Sequence, residues 1–384
     1  MNSKAFLERL IAFPTVSANP NDALIDFCAE HLRNAGAEVT IIRDTNEAKA
    51  NLYATIGPKD IPGVLLSGHT DVVPVEGQDW TLPPFELTEQ DGKLFGRGTT
   101  DMKGFIASAM HIALEAGHQD LKTPLHLAFS YDEEIGCVGV RSIIDMLAKA
   151  PFKPKFCIVG EPTLMSVATG HKGKTACRVT CTGKEAHSAL APTALNALHL
   201  TCDMASFVRK LQAEIAKNSK RDEDYDVPYT TLHVGQIIGG VALNIVPNHA
   251  EMKFEIRNLP EDDPQMILER ISDHAASLLE PLKKQFPEAD IHMEVINTYP
   301  PLSTAKDADV VSFVKSLTGS NSTLKVAFGT EGGLFASQLG IPTVVCGPGS
   351  MAQGHKPDEY VSVEQLEKCD AMLDALLLRL QNGI

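Results

Sequence analysis

The stretch that decides the fold is SGHTDVVP, residues 67–74, which follows the apolar run VLL at residues 64–66. The apolar run predicts a short buried strand. Side chains two residues apart in an extended chain point to the same face, so His69 and Asp71 emerge together where this strand ends. An imidazole beside a carboxylate suits a metal ligand with an acidic neighbour, but an ordinary polar loop has the same pattern. The rest of the chain decides between these two interpretations.

The composition predicts an acidic two-domain protein. A chain of 384 residues, 43% of them hydrophobic, exceeds what one compact core usually organises. Its 34 Lys and Arg against 49 Asp and Glu give a formal net charge of -15, which argues against a nucleic-acid or anionic-membrane partner. We expect neither a membrane-spanning segment nor a signal peptide, because no long apolar run occurs and no apolar segment follows the charged N-terminal residues. The eight cysteines form no C-x-x-C pair, so we expect buried free thiols in a reducing cytoplasm.

Acidic side chains follow two further apolar strands. The strand predicted at 125–130 runs into Glu133 and Glu134, and the strand predicted at 156–159 ends at Glu161. Carboxylates at a strand exit are less usual than in a solvated loop, because that end normally lies over the core. Their recurrence after two strands favours a common site.

A fourth carboxylate, Asp101, follows the glycine-rich loop at 96–100 and precedes a predicted helix, where a plain N-cap is the alternative role. Strands that alternate with helices predict a parallel α/β sheet, and ligands bind such sheets outside the carboxyl ends of the strands. Unpaired carboxylates that converge there would be costly without a cation. The coincidence therefore favours a metal site over a polar loop.

The α/β pattern of alternating strands and helices ends near residue 174 and returns near residue 299. The intervening segment predicts a four-stranded sheet with helices on one face. We therefore expect an α/β catalytic domain, with a mostly parallel sheet and helices on both faces, interrupted by a smaller α+β domain. The expected bounds are 1–173 and 299–384 for the catalytic domain and 174–298 for the smaller one.

The candidate metal ligands comprise two imidazoles and three carboxylates: His69, Asp101, Glu134, Glu161 and His355. Without a thiolate, this set fits Zn²⁺, Co²⁺ or Mn²⁺ better than a structural zinc site. If one carboxylate bridges two ions, each ion keeps about three protein ligands, and such a pair activates water and polarises a carbonyl. Glu133 is then the expected general base, and Asp71 the carboxylate that orients His69.

Five motifs in this order closely resemble those of the dinuclear-zinc peptidase and deacylase superfamily, and the resemblance covers essentially the whole chain. The motifs are SGHTDVVP (67–74), GRGTTDMKG (96–104), DEE (132–134), GEP (160–162) and HKPDE (355–359). Within that superfamily the chain most resembles the acetylornithine deacetylases, through the stretches TGHKG (169–173), DVPYTTL (226–232), GTE (329–331) and GPGS (347–350).

This resemblance implies an activity and its setting. The expected protein is a cytoplasmic homodimer that uses two Zn²⁺ ions, with Co²⁺ as an alternative, to hydrolyse N-acetyl-L-ornithine to L-ornithine and acetate in arginine biosynthesis. One alternative is the same chemistry on another N-acyl amino acid, such as N-succinyl-diaminopimelate. A second alternative is a non-catalytic homologue that only binds a ligand, although the complete ligand set and the intact Glu133 argue against it.

The resemblance also implies roles for the metal-site residues. Asp101 would bridge the two ions, His69 and Glu161 would complete one of them, and Glu134 and His355 the other. Glu133 would take a proton from the attacking water and pass it to the leaving amine.

Further roles fall on the smaller domain, which would serve as a lid and dimerisation domain. His187 matches the family histidine that reaches into the partner subunit's site and stabilises the tetrahedral oxyanion. Asn244 and Arg257 match lid residues that hold the substrate carboxylate, and Thr330 of the catalytic domain matches a further substrate contact. The chain departs from the family at Ala194, where many relatives have glycine, which puts the local turn geometry in question.

Overall fold

The computed structural model describes all 384 residues and contains two compact units. Unit 1 comprises Met1–His171 and Leu302–Ile384, and unit 2 comprises Lys172–Pro301. No helix combines the length and the apolar character that crossing a membrane requires. All eight cysteines are free, and all except Cys202 are buried.

The helices and strands are numbered here in chain order. The α-helices are α1 Ser3–Ile11, α2 Asp22–Asn34, α3 Lys103–Ala116, α4 Val140–Ala148, α5 Ala197–Asn218, α6 Pro264–Leu282, α7 Asp309–Thr318, α8 Gly332–Leu339 and α9 Val363–Asn382. The strands are β1 Glu38–Arg43, β2 Ala50–Ile56, β3 Val64–His69, β4 Thr88–Gln90, β5 Lys93–Phe95, β6 Leu125–Ser130, β7 Phe156–Pro162, β8 Val167–His171, β9 Lys174–Thr182, β10 Ala186–His187, β11 Thr231–Gly239, β12 Ile245–Val246, β13 His249–Arg257, β14 Asp290–Tyr299, β15 Leu302–Ser303, β16 Thr323–Val326, β17 Thr343–Gly347 and β18 Tyr360–Ser362.

The main sheet of unit 1 has the order β1-β2-β6-β3-β7-β17-β8-β15, with β16 beside β8. Its four central strands, β6, β3, β7 and β17, are mutually parallel. Towards both edges the pairings β1–β2, β2–β6, β17–β8 and β8–β15 are antiparallel. The predicted α/β fold is confirmed, and its parallel part is the centre of the sheet, where the carboxyl ends of the strands share one edge.

Helices cover both faces of this sheet. Along β3, Val64 and Leu66 belong to the large core that also contains Phe105 and Met110 of α3, whereas Leu65 between them points to the other face. Helices α1, α2, α3, α7 and α9 pack against one another on the first face, and α4 and α8 pack together on the second. Both faces are buried, which explains why the central strands read as continuous apolar runs.

Unit 2 is built on a separate four-stranded sheet with the order β11-β13-β9-β14, in which every pairing is antiparallel. Cys177, Val179 and Cys181 alternate along β9 and form a second core with α5 and α6. The opposite face carries half-buried polar side chains such as Arg178. This is the predicted α+β arrangement, with both helices on one face.

Candidate metal centre and active site

Three of the central parallel strands bring functional side chains to one edge of the sheet. His69 is the last residue of β3, Glu161 lies near the end of β7, and the loop after β6 carries Glu133 and Glu134. The fourth carboxylate, Asp101, lies just before α3, whose N-cap residue is Met102 and not Asp101. The carboxylate of Asp101 therefore does not cap the helix, and its side chain faces the histidines instead.

The nitrogen and oxygen atoms of the predicted ligands are spaced like donors around metal ions. His69 Nε2 lies 3.1 Å from Asp101 Oδ1 and 3.6 Å from Glu161 Oε1. His355 Nε2 lies 3.1 Å from Asp101 Oδ2 and 3.0 Å from Glu134 Oε2. Zinc bonds to nitrogen and oxygen of 2.0–2.1 Å place tetrahedral ligand atoms roughly 3.3 Å apart. The donor set therefore fits divalent ions in chemistry and in spacing.

Asp101 lies between the two histidines, with Oδ1 directed at His69 and Oδ2 at His355. This is the arrangement of a carboxylate that can serve two ions at once. The ligand atoms of His69, Asp101 and Glu134 lie within 4.8 Å of one another, as do those of His69, Glu133 and Glu161.

The electrostatics of the site also favour a cation. Burial, with the negative charge of Asp101, raises the pKa of Glu134 to about 7 and holds the pKa of Glu161 well above its usual range. Hydrogen bonds to Asp101 and Glu134 raise the pKa of His355 to about 10. The buried carboxylates thus lack a neutralising positive charge, and their negative charge favours a proton on His355. Bound divalent ions would supply the missing positive charge.

Asp71 fixes both His69 and the loop that carries the candidate base. His69 Nδ1 lies 2.9 Å from the Asp71 carbonyl oxygen and 3.5 Å from Asp71 Oδ1, so the nearer contact is to the backbone. A proton on Nδ1 that is donated to this carbonyl leaves Nε2 directed at Asp101. The Asp71 carboxylate accepts the backbone N–H of Glu133 at 3.0 Å, the N–H of Glu134 at 3.3 Å and the Ser17 hydroxyl at 2.7 Å.

Glu133 has surroundings different from those of Glu134. It is half-buried and forms no ion pair with either histidine, and the Cys137 thiol donates to its Oε1 at 3.2 Å. Burial, with the negative charge of Glu134, raises the pKa of Glu133 to about 8 against the lowering effect of His69. A carboxylate with a raised proton affinity beside the ligands suits proton transfer.

The sequence did not single out Glu331, which lies beneath the site. Its buried carboxylate accepts hydrogen bonds from Ser67 at 3.1 Å and from Ser130, so it joins β3 and β6 just before His69 and the acidic loop. Only the GTE triplet at 329–331 could have pointed to it. The neighbouring Thr330 is fully buried, and its hydroxyl accepts the backbone N–H of Gly332 at 3.0 Å.

The remaining predicted residues lie in unit 2. His187 of β10 pairs with Ile245 of β12, and the Asn244 carbonyl accepts the backbone N–H of Ser188 at 2.9 Å. His187 and Asn244, both exposed, are therefore neighbours. His187 Nδ1 accepts the backbone N–H of Ala189 at 3.1 Å, which leaves Nε2 available to a ligand.

Arg257 lies at the end of β13 and is already paired. Its guanidinium contacts both oxygens of Glu255, at 3.1 and 3.3 Å, and donates to the Tyr299 hydroxyl at 2.9 Å. Ala194, the departure from the family pattern, has φ -118° and ψ 174°, an extended conformation that does not require glycine.

The sequence profile of Peptidase family M20/M25/M40 matches residues 65–379. The acetylornithine deacetylase of Myxococcus xanthus is 35% identical over 378 residues, covering 96% of this chain and 95% of the relative. The acetylornithine deacetylase of Pasteurella multocida (strain Pm70) is 32% identical over 375 residues, covering 96% and 95% of the two chains.

Solved structures show the same fold at low sequence identity. The M20 family metallo-carboxypeptidase Sso-CP2 from Sulfolobus solfataricus has a TM-score of 0.78 at 20% identity, covering 99% of both chains. The dipeptidase Dug1p from Saccharomyces cerevisiae has a TM-score of 0.76 at 16% identity, covering 99% of this chain and 96% of that chain. The chain therefore belongs to Peptidase family M20/M25/M40, as a metal-dependent amidohydrolase.

Proposed function

We propose that this enzyme hydrolyses N-acetyl-L-ornithine to L-ornithine and acetate. The observation that carries the chemistry is the placement of Asp101 between His69 and His355, with Glu134 and Glu161 within ligand distance. The choice of substrate is supported by relatives of that name at 32% and 35% identity over nearly the whole chain.

In this proposal the site holds two ions. Asp101 would be shared by both, with His69 and Glu161 as the further ligands of one ion and His355 and Glu134 as those of the other. The donor set of imidazole and carboxylate suits Zn²⁺, with Co²⁺ as an alternative. When bound, two such ions polarise the amide carbonyl, lower the pKa of the attacking water and stabilise the charge of the tetrahedral transition state.

Glu133 transfers the protons, and neighbouring residues hold it in position. Glu133 accepts the proton of the attacking water and donates it to the nitrogen of the leaving amine, so one carboxylate serves as base and then as acid. Two contacts fix it: Asp71 accepts its backbone N–H, and Cys137 donates to Oε1. The second carboxylate oxygen, Oε2, is then the one that faces the reaction.

Unit 2 is assigned the parts of the site that bind the rest of the substrate. His187 would reach into the active site of the partner subunit and stabilise the oxyanion there through Nε2. Asn244 would donate to the substrate carboxylate. Arg257 would donate to the same carboxylate, for which it must share its guanidinium with Glu255. Thr330 of unit 1 would contact the substrate through its hydroxyl, for which this fully buried side chain must become accessible.

The role of His187 requires a homodimer, which we propose forms through unit 2, so that unit 2 is both lid and dimerisation domain. Two features of β11 support an interface there. The strand is an edge of its sheet, with unpaired backbone groups, and the apolar side chains of Ile237 and Ile238 on it are exposed. Beside them, Cys202 of α5 lines an apolar groove of about 450 Å³ between α5 and β11.

The proposed substrate also implies a metabolic role and a cellular compartment. Deacetylation of acetylornithine supplies ornithine, and we propose that the enzyme does so for arginine biosynthesis in the cytoplasm. Eight free cysteines, seven of them buried, suit a reducing compartment.

A substrate panel tests the proposal. The purified enzyme, stripped with a chelator and reloaded with Zn²⁺ or Co²⁺, should release acetate from N-acetyl-L-ornithine with a higher kcat/KM than for N-acetyl-L-methionine or N-succinyl-diaminopimelate. Preference for the succinyl substrate would assign the same chemistry to another acyl group. Turnover that survives complete metal removal would contradict the mechanism, and failure to hydrolyse any of the three would favour a binding protein.

A further inference from the structure

Glu359 lies where the two loops that carry Asp101 and His355 meet. It is 1% exposed and follows His355 by four residues. Its Oε1 accepts three backbone N–H groups, those of Gly98 at 3.1 Å, Thr100 at 2.9 Å and Asp101 at 3.1 Å. A carboxylate that gathers three N–H groups fixes the backbone from which the Asp101 side chain projects.

The second oxygen of Glu359 connects to the His355 loop by another route. Arg97, also 1% exposed, donates to Oε2 at 2.6 Å and lies 4.9 Å from the Trp80 ring. Arg97 also donates to Gln78 Oε1 at 2.5 Å, and Gln78 Nε2 donates to the His355 carbonyl at 3.0 Å. The chain of contacts from Asp101 through Glu359, Arg97 and Gln78 therefore returns to His355.

His355 needs such support more than His69 does. The His69 ring is 1% exposed and belongs to a central strand, whereas the His355 ring is 46% exposed and belongs to a loop. His355 also has φ 61° and Asp358 φ 52°, left-handed conformations that are uncommon in residues other than glycine. The His355 side chain is covered less than that of His69, so we expect hydrogen bonds to its loop to contribute more to its position.

We infer that Glu359 is a positioning residue that holds Asp101 and His355 at the spacing required by the ion they share. The inference rests on the proposed metal site and adds an asymmetry to it. Because Asp101 would serve both ions, both depend on Glu359. The ion held by His355 and Glu134 depends on it more, because His69 and Glu161 are fixed by the central strands.

The test is zinc binding to Glu359→Gln. The amide keeps one acceptor oxygen, so it must point its NH₂ group either at the three N–H donors or at the Arg97 guanidinium. Zinc content per chain and the two Kd values are measured in zinc-buffered solutions. We expect one Kd to rise about 10–100-fold, as for other changes to residues that orient a metal ligand, and the other to rise by a smaller factor, because the two ions share Asp101. Turnover should return at high zinc, with KM unchanged.

Asp358→Asn is the matched control on the same loop. The Asp358 carboxylate accepts hydrogen bonds from Thr81 and Leu82 and none from residues 98–101. An asparagine oxygen can accept the two backbone N–H groups, and asparagine tolerates the left-handed conformation. This variant should bind both ions with wild-type Kd values.

Gln78→Leu keeps the test decisive if Glu359→Gln does not fold. It leaves Glu359 paired with Arg97 but removes the bond to the His355 carbonyl, together with the bonds that Gln78 Oε1 accepts from Arg97 and Trp80. The same Kd should therefore rise by a smaller factor. The inference is overturned if Glu359→Gln binds two ions with wild-type Kd values or raises both Kd values equally. It is also overturned if Gln78→Leu leaves both Kd values unchanged or raises both equally. A wild-type chain that binds no pair of ions would instead contradict the proposed function.

Discussion

Glu133→Gln and Glu134→Gln are the same change at adjacent positions, and the structure predicts opposite consequences for metal binding. Glu134 Oε2 lies 3.0 Å from His355 Nε2, in the position of a ligand. Glu133 forms no ion pair with a histidine, and its Oε1 accepts from Cys137. Glutamine at 133 therefore removes a proton acceptor without removing a ligand, whereas glutamine at 134 removes a charged ligand.

The size of the effect follows from these roles. General acid–base catalysis contributes about 10²–10⁴-fold, so Glu133→Gln should lower kcat by that factor, or about 3–5 kcal/mol, with two zinc ions retained. Glutamine is nearly isosteric with glutamate and can still accept from Cys137, so the fold should be unaffected. Glu134→Gln should instead lose one ion at zinc concentrations that saturate the wild type.

The assay pairs zinc content per chain with acetate release under saturating N-acetyl-L-ornithine. Circular dichroism spectra of both variants control for folding. Loss of an ion from Glu133→Gln would show that Glu133 is a ligand and not the base. Two ions and wild-type kcat in Glu134→Gln would remove it from the ligand set. Either result would refute the division of roles between the two glutamates.

Two further predictions concern stability. Alanine at Gly160 would place its Cβ 1.9 Å from Cγ of the fully buried Phe105. Gly160→Ala should therefore lower the free energy of unfolding by about 1–3 kcal/mol and weaken zinc binding at the adjacent Glu161. Unchanged urea unfolding would contradict the close packing of β7 on α3. Burial lowers the pKa of His126 to about 4, so between pH 6.5 and pH 4 the unfolded chain takes up a proton that the folded chain does not, and stability falls as the pH falls. From pH 7.5 to pH 5, the free energy of unfolding of His126→Asn should fall by about 2 kcal/mol less than that of the wild type. The exposed control His199→Asn should follow the wild type. Identical pH dependence of all three chains would refute the assignment.

The sequence predicted the fold best where neighbouring residues determine it. The apolar runs of β3, β6 and β7 are buried on both faces, so their continuous hydrophobic pattern and the alternating helices indicated a parallel sheet. The antiparallel pairings at the edges, such as β2 with β6, leave no local signal, because pairing partners are set by the whole sheet.

The candidate site shows the same division. Strand exits indicated which carboxylates share an edge, because the ends of parallel strands meet there. The supporting contacts join residues far apart in sequence: Ser67 and Glu331 are separated by 264 positions, and Asp101 and Glu359 by 258. Neither Glu331 nor Glu359 follows a strand that points into the site, so only the folded chain reveals what they hold.

The measurement that tests the central claim most directly is the anomalous scattering of zinc in crystals of the metal-loaded enzyme. Two peaks roughly 3.5–4 Å apart are expected, one on each side of the Asp101 carboxylate. One should be bound by His69 and Glu161, and the other by Glu134 and His355. A single peak, or peaks away from Asp101, would contradict the proposed two-metal site.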